Sequence, residues 1–113
     1  MRVVTIVITI GESVEFEWDE RKNRENIRKH GLDFTDARIV FDNPLLASID
    51  TREDYGEDRW RGIGTAMGRT VVVIFTMPRP EIARIISFRK ATKTERRWFE
   101  QEVARKQWHI EEN

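Results

Sequence analysis

The chain has 113 residues, 39% of them hydrophobic and 35% charged, with no cysteine and a formal net charge of zero. A chain of this length folds as one domain around one core, here residues 1–113. It uses no disulfide and no thiolate-bound metal, which suits a reducing cytoplasm, and its neutral balance argues against a protein that simply coats nucleic acid.

The elements read in order as strand, two helices, a run of strands and a last helix. Val3–Ile10 is the longest apolar run. It is far short of the roughly 20 residues that cross a bilayer, so it reads as a β-branched strand and no membrane partner is expected. Glu15–Trp18 is a second short extended piece. Asp19 caps a helix that runs to His30, with Gly31 placed to stop it. That helix is very polar, with Ile27 as its only interior aliphatic residue. Thr35 reads as the next N-cap, with Phe34 and Ile39 at the two positions of a hydrophobic staple, and Asp42-Asn43-Pro44 ends that helix. Leu45–Thr51 and Arg59–Ala66 are extended, separated by a polar, acidic connection, and Gly62 and Gly64 mark the second for a bulge. Met67-Gly68 turns the chain into Arg69–Thr76, whose core Val71-Val72-Val73-Ile74-Phe75 is apolar on both faces and therefore central. Ile82–Lys90 is the last strand. Thr92 and Glu95 form a T-x-x-E capping box at the start of the last helix, whose end from His109 to Asn113 reads as frayed. Hairpins followed by a helix predict an α+β domain with an antiparallel sheet covered on one side.

Charge is unevenly spread. Residues 79–106 hold nine basic side chains against four acidic ones, and Arg21–Lys29 hold five against Glu25 alone. Two basic clusters on an otherwise acidic chain fit a local anionic partner such as phosphate, or else solvated helix faces. Alternation along the last strand puts Ile82, Arg84, Ile86, Phe88 and Lys90 on one face and Ala83, Ile85, Ser87 and Arg89 on the other. Arg89 and Lys90 adjoin the capped helix start, with Lys93 and Arg96 following, where free amides attract phosphate. Arg84 has a plainer reading as an edge residue paired with Glu57 or Asp58. Arg59 and Arg61 share one face of their strand. His30 is placed either to move protons or to satisfy the last carbonyls of its helix. The four tryptophans serve base stacking or packing. Two isolated histidines without cysteine give no metal-ligand spacing, and the acidic run Asp50–Asp58 reads as a solvated connection rather than a cation site. Phosphate-loop and dinucleotide fingerprints are missing, so no metal and no cofactor are expected.

Two long blocks are similar to a known family. FEWDERKNRENIRKHGLDF (residues 16–34) resembles the opening signature of the BrnT toxins, and RIISFRKATKTERR (residues 84–97) resembles their closing one. Asp54–Arg59 and Ile63-Gly64 resemble the family's middle, whereas Trp60-Arg61 departs from it. The first fifteen residues exceed the usual family start, as an extension or an extra strand. The resemblance implies a RelE-like fold with two N-terminal helices and a C-terminal helix, and a metal-independent endoribonuclease that inhibits translation. It also implies a BrnA-like ribbon-helix-helix antitoxin, and operator DNA bound only through that complex.

RNA carries its own nucleophile, the 2′-OH. A ribonuclease therefore has to align it, take its proton and stabilise the charged phosphorane, which Lys and Arg can do without metal. On that basis Arg89 and Arg59 are the expected phosphate clamps, with Lys90 and Arg84 in support and His30 or Glu57 as proton acceptor. Lys22, Lys29, Arg61, Lys93 and Arg96 are the expected RNA contacts. Two other function classes remain open. One is a non-catalytic module that binds the antitoxin and modulates operator binding, and the other is a nucleic-acid-binding protein acting alone.

Overall fold

Short polar side chains fix the first helix at both ends. Asp19 Oδ1 accepts the amides of Arg21 (2.9 Å) and Lys22 (3.2 Å), and Gly31, at φ 71°, donates its N–H to the Ile27 carbonyl and closes α1, Glu20–His30. The positive φ suits a residue without Cβ. A computed structural model of the chain describes residues 5–8, 14–43, 45–52 and 54–111. The Val3–Ile10 strand falls partly outside them, and its described part is β1, Thr5–Ile8. The remaining elements are β2 (Glu15–Glu17), a 3-10 turn (Phe34–Ala37), α2 (Arg38–Phe41), β3 (Leu45–Ile49), β4 (Trp60–Ala66), β5 (Arg69–Arg79), β6 (Ile82–Lys90) and α3 (Lys93–Glu111).

Six strands form one sheet in the order β1-β3-β4-β5-β6-β2. The expectation of a central, doubly apolar strand holds: β5 lies inside the sheet, and Val71 to Thr76 are buried. Two expectations are corrected. The sheet is mixed, because β2 runs parallel to β6, with Glu17 beside Arg84. It is also covered on both faces. Leu32, the 3-10 turn and α2 lie over Leu45, Ala47, Val71, Val73, Phe75, Ile85 and Phe88, with α1 set against β6, while α3 packs Phe99 and Trp98 on Leu46, Ile63, Val72 and Ile74 on the other face. The apolar side chains at both parities of β5 require such a second cover, since burying them is what stabilises each layer.

The N-cap ahead of the second helix is Asp33 rather than Thr35. Its Oδ1 accepts the Thr35 N–H and hydroxyl (2.9 and 2.8 Å) and also the Asn23 side-chain amide (3.0 Å). The helix there is a 3-10 turn with a single following α-turn. β4 carries no bulge, and its register to β3 and β5 is unbroken. Its glycines serve close approach instead. A Cβ on Gly62 would press on Leu45 Cδ1, and one on Gly64 would lie 2.8 Å from Val40 Cγ1. The helical backbone of α3 continues to Glu111, beyond the predicted fraying at His109.

The bulge lies in β6. Ile74 pairs with Ser87 and Phe75 with Ile85, so Ile86 is an extra residue. It breaks the simple alternation. Ala83, Ile85 and Phe88 all face α1 and α2, while Arg84, Ile86 and Arg89 face α3.

Candidate ribonucleolytic site

The bulge gathers cations. Across the α3 face the strands line up Leu46, Ile63, Val72 and Arg89 in one row, then Ser48, Arg61, Ile74 and Ser87 in the next. Arg59 lies one step beyond, where its carbonyl accepts the Asp50 N–H (2.7 Å), and Thr76, Arg84 and Glu17 continue that row. Arg59, Arg61, Arg84 and Arg89 thus share one sheet face. Arg84 was expected with Lys90 but is separated from it, since Lys90 pairs opposite Val71 on the other face.

Arg89 donates from Nη1 to Glu95 Oε1 (2.8 Å) and from Nη2 to Oε2 (3.0 Å), and Nη1 also reaches the Lys90 carbonyl (3.2 Å). Arg61 Nη1 stands 3.5 Å from Glu95 Oε2. The capping box forms as read: Glu95 accepts the Thr92 N–H (2.8 Å) and Thr92 Oγ1 accepts the Glu95 N–H (3.1 Å). The Arg89 hydrogen bonds, helped by the Thr92 amide and opposed by partial burial, hold the Glu95 carboxyl at a pKa of about 2. Beside this cluster opens a cavity of about 570 Å³, walled by Ser48, Arg61, Thr94, Glu95, Trp98, Glu102 and Arg105.

Arg59 stacks its guanidinium on the Tyr55 ring, 3.9 Å from the centroid. Its Nε lies 3.9 Å from Glu57 Oε2, and that buried Nε and the buried Thr76 Oγ1 have no hydrogen-bond partner among the described residues. Glu57 is therefore beside Arg59 and away from Glu95. Arg84 Nε donates to Glu17 Oε2 at 2.6 Å, an acid on β2 rather than the expected Glu57 or Asp58. The acidic connection is not wholly solvated: Asp50 is buried and accepts Arg52 twice at 2.8 Å.

The other expected residues occupy two further grooves. Lys90 and Arg96 line one with Arg69 and Glu100 at the sheet end where α3 begins, and Lys93 opens α3 as an exposed side chain. Lys22, Lys29 and His30 line the other with Glu25, Asn26, Ile86 and Ser87, along the β6 edge that β2 leaves unpaired. The pKa of His30 is lowered, first by burial and then by the positive charges of Lys29 and Arg89. The imidazole therefore favours its neutral, proton-accepting form, and it feels the Arg89 charge from across β6.

Sequence reasoning missed Glu95 as a partner of Arg89, because the T-x-x-E pattern already gave that glutamate a complete local purpose. Three tryptophans have described packing partners: Trp18 meets Phe34 edge-on, Trp60 packs against the cluster of Phe34 and Phe75, and Trp98 packs under α3 while also lining the cavity; the side chain of Trp108 lies outside the described residues. Among the described residues no group of three or more His, Cys, Asp or Glu is arranged to hold a metal ion, and no helix is long and apolar enough to cross a membrane.

A family model described as the ribonuclease toxin, BrnT, of type II toxin–antitoxin systems matches residues 18–95. The chain belongs to the BrnT family. The crystal structure of the Brucella abortus ribonuclease toxin, BrnT, is similar to it at 32% identity with a TM-score of 0.54, covering 71% of this chain and 99% of that one. No curated protein matches the chain. As a BrnT family member the chain is a ribonuclease toxin of a type II toxin–antitoxin system. The matched segment includes Lys22, Lys29, His30, Arg59, Arg61, Arg89 and Glu95, whereas Trp98, Glu102 and Arg105 lie beyond its end.

Proposed function

We propose that this BrnT chain is a metal-independent endoribonuclease whose arginines grip the scissile phosphate on the α3 face of the sheet, so that the RNA's own 2′-OH attacks it. The observation that carries this reading is the convergence of Arg61 and Arg89 on Glu95 at the mouth of an open cavity. Glu95 locks the Arg89 guanidinium in one plane, and a locked donor costs little to reorganise as charge builds on the phosphorane. Arg61 and Arg59 hold the non-bridging oxygens, Arg59 held flat on Tyr55. Arg84 and Lys90 extend the positive field along the strand. The RNA crosses β6 into the second groove, where Lys22 and Lys29 contact its backbone and neutral His30 accepts the 2′-OH proton. Glu57 serves Arg59, and Lys93 and Arg96 add phosphate contacts near the start of α3.

As the 2′-O–P bond forms the P–O5′ bond breaks and the departing 5′-oxygen takes a proton from solvent, so the products carry a 2′,3′-cyclic phosphate and a 5′-OH, and cleavage survives excess chelator. Expression of the chain alone arrests growth by stopping translation, and co-expression of a BrnA-like ribbon-helix-helix antitoxin relieves it and brings the complex to operator DNA. Loss of cleavage in chelator, with recovery on adding a divalent cation, would overturn metal independence. The full engagement of Arg89 by Glu95 favours a second reading, a non-catalytic module that only binds the antitoxin and modulates operator binding. Intact RNA in vitro together with normal growth on induction decides for that module.

A further inference from the structure

The cavity beside Glu95 has a composition that phosphate binding alone does not require. Glu95, Trp98, Glu102 and Arg105 follow one another at helical spacings of three and four, so they share one side of α3. Arg61 closes the cavity from the sheet. Its volume of about 570 Å³ falls within the range of roughly 300–1,000 Å³ typical of small-molecule sites. Trp98 is half-buried: part of the ring packs on the apolar cluster under α3, and the rest lines the cavity. Glu102 is held by Arg105, whose Nη2 donates to Oε2 at 2.6 Å. A carboxylate has about four acceptor positions, so this pairing orients Glu102 without exhausting it.

These features together suit a nucleobase. An aromatic face stacks any base, Arg61 ties the attached phosphate to the Arg89–Glu95 cluster, and a fixed carboxylate selects the base edge. Guanine alone presents two adjacent donors, N1–H and N2–H, on its Watson–Crick edge. We propose that this cavity is a base subsite in which Trp98 stacks the nucleobase next to the scissile phosphate and Glu102 accepts from the N1–H and N2–H of guanine. The proposal deepens the ribonuclease reading and rests on it for the phosphate's position.

The test uses the full chain, the variants Trp98→Leu and Glu102→Gln, cleavage mapping on an RNA containing all four bases, and calorimetric titration with guanosine, adenosine, cytidine and uridine 3′-monophosphates and with ribose 5-phosphate. The wild type cuts beside guanine and binds guanosine 3′-monophosphate about tenfold more tightly than the uridine compound, in line with one stacked, hydrogen-bonded base. Trp98→Leu weakens all four nucleotides about tenfold and leaves ribose 5-phosphate unchanged. Glu102→Gln, an exchange on the rim of the cavity that does not threaten the fold, removes the guanine preference while nucleotides still bind. A folded Trp98→Leu protein with unchanged nucleotide affinities and cleavage sites would overturn the subsite, as would a Glu102→Gln protein that keeps its guanine preference. A wild type that binds the nucleotides in this order but leaves RNA intact supports the subsite and defeats the ribonuclease reading, so the two fail separately.

Discussion

The side-chain amide of Asn26 stands in for a neighbouring strand at Phe88. Its Nδ2 donates to the Phe88 carbonyl (2.8 Å) and its Oδ1 accepts the Phe88 N–H (3.1 Å), while Nδ2 also reaches the Leu32 carbonyl (2.9 Å). β2 pairs only with Ile82–Arg84, so the rest of that edge of β6 depends on such a partner. Asn23 holds the other end: its Oδ1 accepts the Phe34 N–H (2.9 Å) and its Nδ2 donates to Asp33 Oδ1 (3.0 Å). The two asparagines are the buried residues of α1, and Ile27, its one interior aliphatic, is 40% exposed. The helix is therefore held to the sheet by hydrogen bonds more than by apolar burial. Asn26→Ala strands a buried donor and two buried acceptors and is expected to cost about 3 kcal/mol in urea unfolding, against under about 0.5 kcal/mol for exposed Arg28→Ala on the same helix. Equal small losses would contradict this account of how α1 is anchored.

The β4 glycines make a packing prediction. Gly64→Ala drives a methyl to 2.8 Å from Val40 Cγ1 and 3.3 Å from Leu45 Cβ, in a part of the core where Val40 and Leu45 are fully buried. Overpacking of this kind is expected to lower stability by about 1–3 kcal/mol. Gly56→Ala meets no neighbouring atom, although its φ of 73° adds backbone strain, so its loss reads out strain without overpacking. Thermal unfolding of the two variants separates the two causes. A Gly64→Ala protein as stable as wild type would mean that α2 and β3 sit less closely on β4 than described.

Acid stability follows from Glu95. Its folded pKa of about 2 lies below the ordinary 4.5, so its contribution is fully present above pH 4.5 and is lost as pH falls from 4.5 toward 2. Asp33 and Asp50 are lowered as well, the first mainly by the Thr35 amide and the second by Arg52, so they add to the same acid loss. Glu95→Gln is expected to be less stable than wild type at neutral pH and to lose less between pH 4.5 and 2. Parallel stability curves for the two proteins would show that the Arg89–Glu95 pair contributes nothing.

The proposed role of His30 as proton acceptor has a pH signature. His30 titrates below its ordinary 6.5 because burial and the charges of Lys29 and Arg89 disfavour its cation. Single-turnover cleavage is expected to rise with pH through an acid limb below pH 6.5 and then level off. His30→Gln removes that limb and slows cleavage about 10²–10⁴-fold, the range of general acid–base contributions. A mutant that keeps the limb places the base elsewhere.

Much of the fold was legible because its signals are local. Asp19 and Gly31 at the ends of α1, the Thr92–Glu95 box and the Met67-Gly68 turn, at φ 53° and 74°, each depend on a few adjacent residues. The two signature blocks likewise identified the family. What escaped depends on distant neighbours. Nothing in RIISFRK marks Ile86 as the extra residue, yet that bulge decides that Arg84 and Arg89 share a face and Lys90 does not. The parallel pairing of β2 and the second cover by α3 are set by crossover geometry, which a strand pattern does not encode. The asparagines of α1 carry no local sign of their role, because their backbone partners Leu32, Phe34 and Phe88 lie six, eleven and sixty-two residues away. Arg61 was ranked below Arg59 and Arg84, and it is the one that reaches Glu95.

In the proposed mechanism the Arg61–Arg89–Glu95 cluster carries RNA cleavage. The most direct measurement is the single-turnover rate of Arg61→Ala against wild type on one defined RNA in excess chelator, with thermal unfolding as the folding control. Removing one preorganised donor to the developing oxyanion is expected to slow cleavage about 10²–10³-fold while the melting temperature stays within a few degrees and the wild type keeps its cyclic-phosphate ends. An Arg61→Ala protein that is folded and cuts at the wild-type rate would contradict the account.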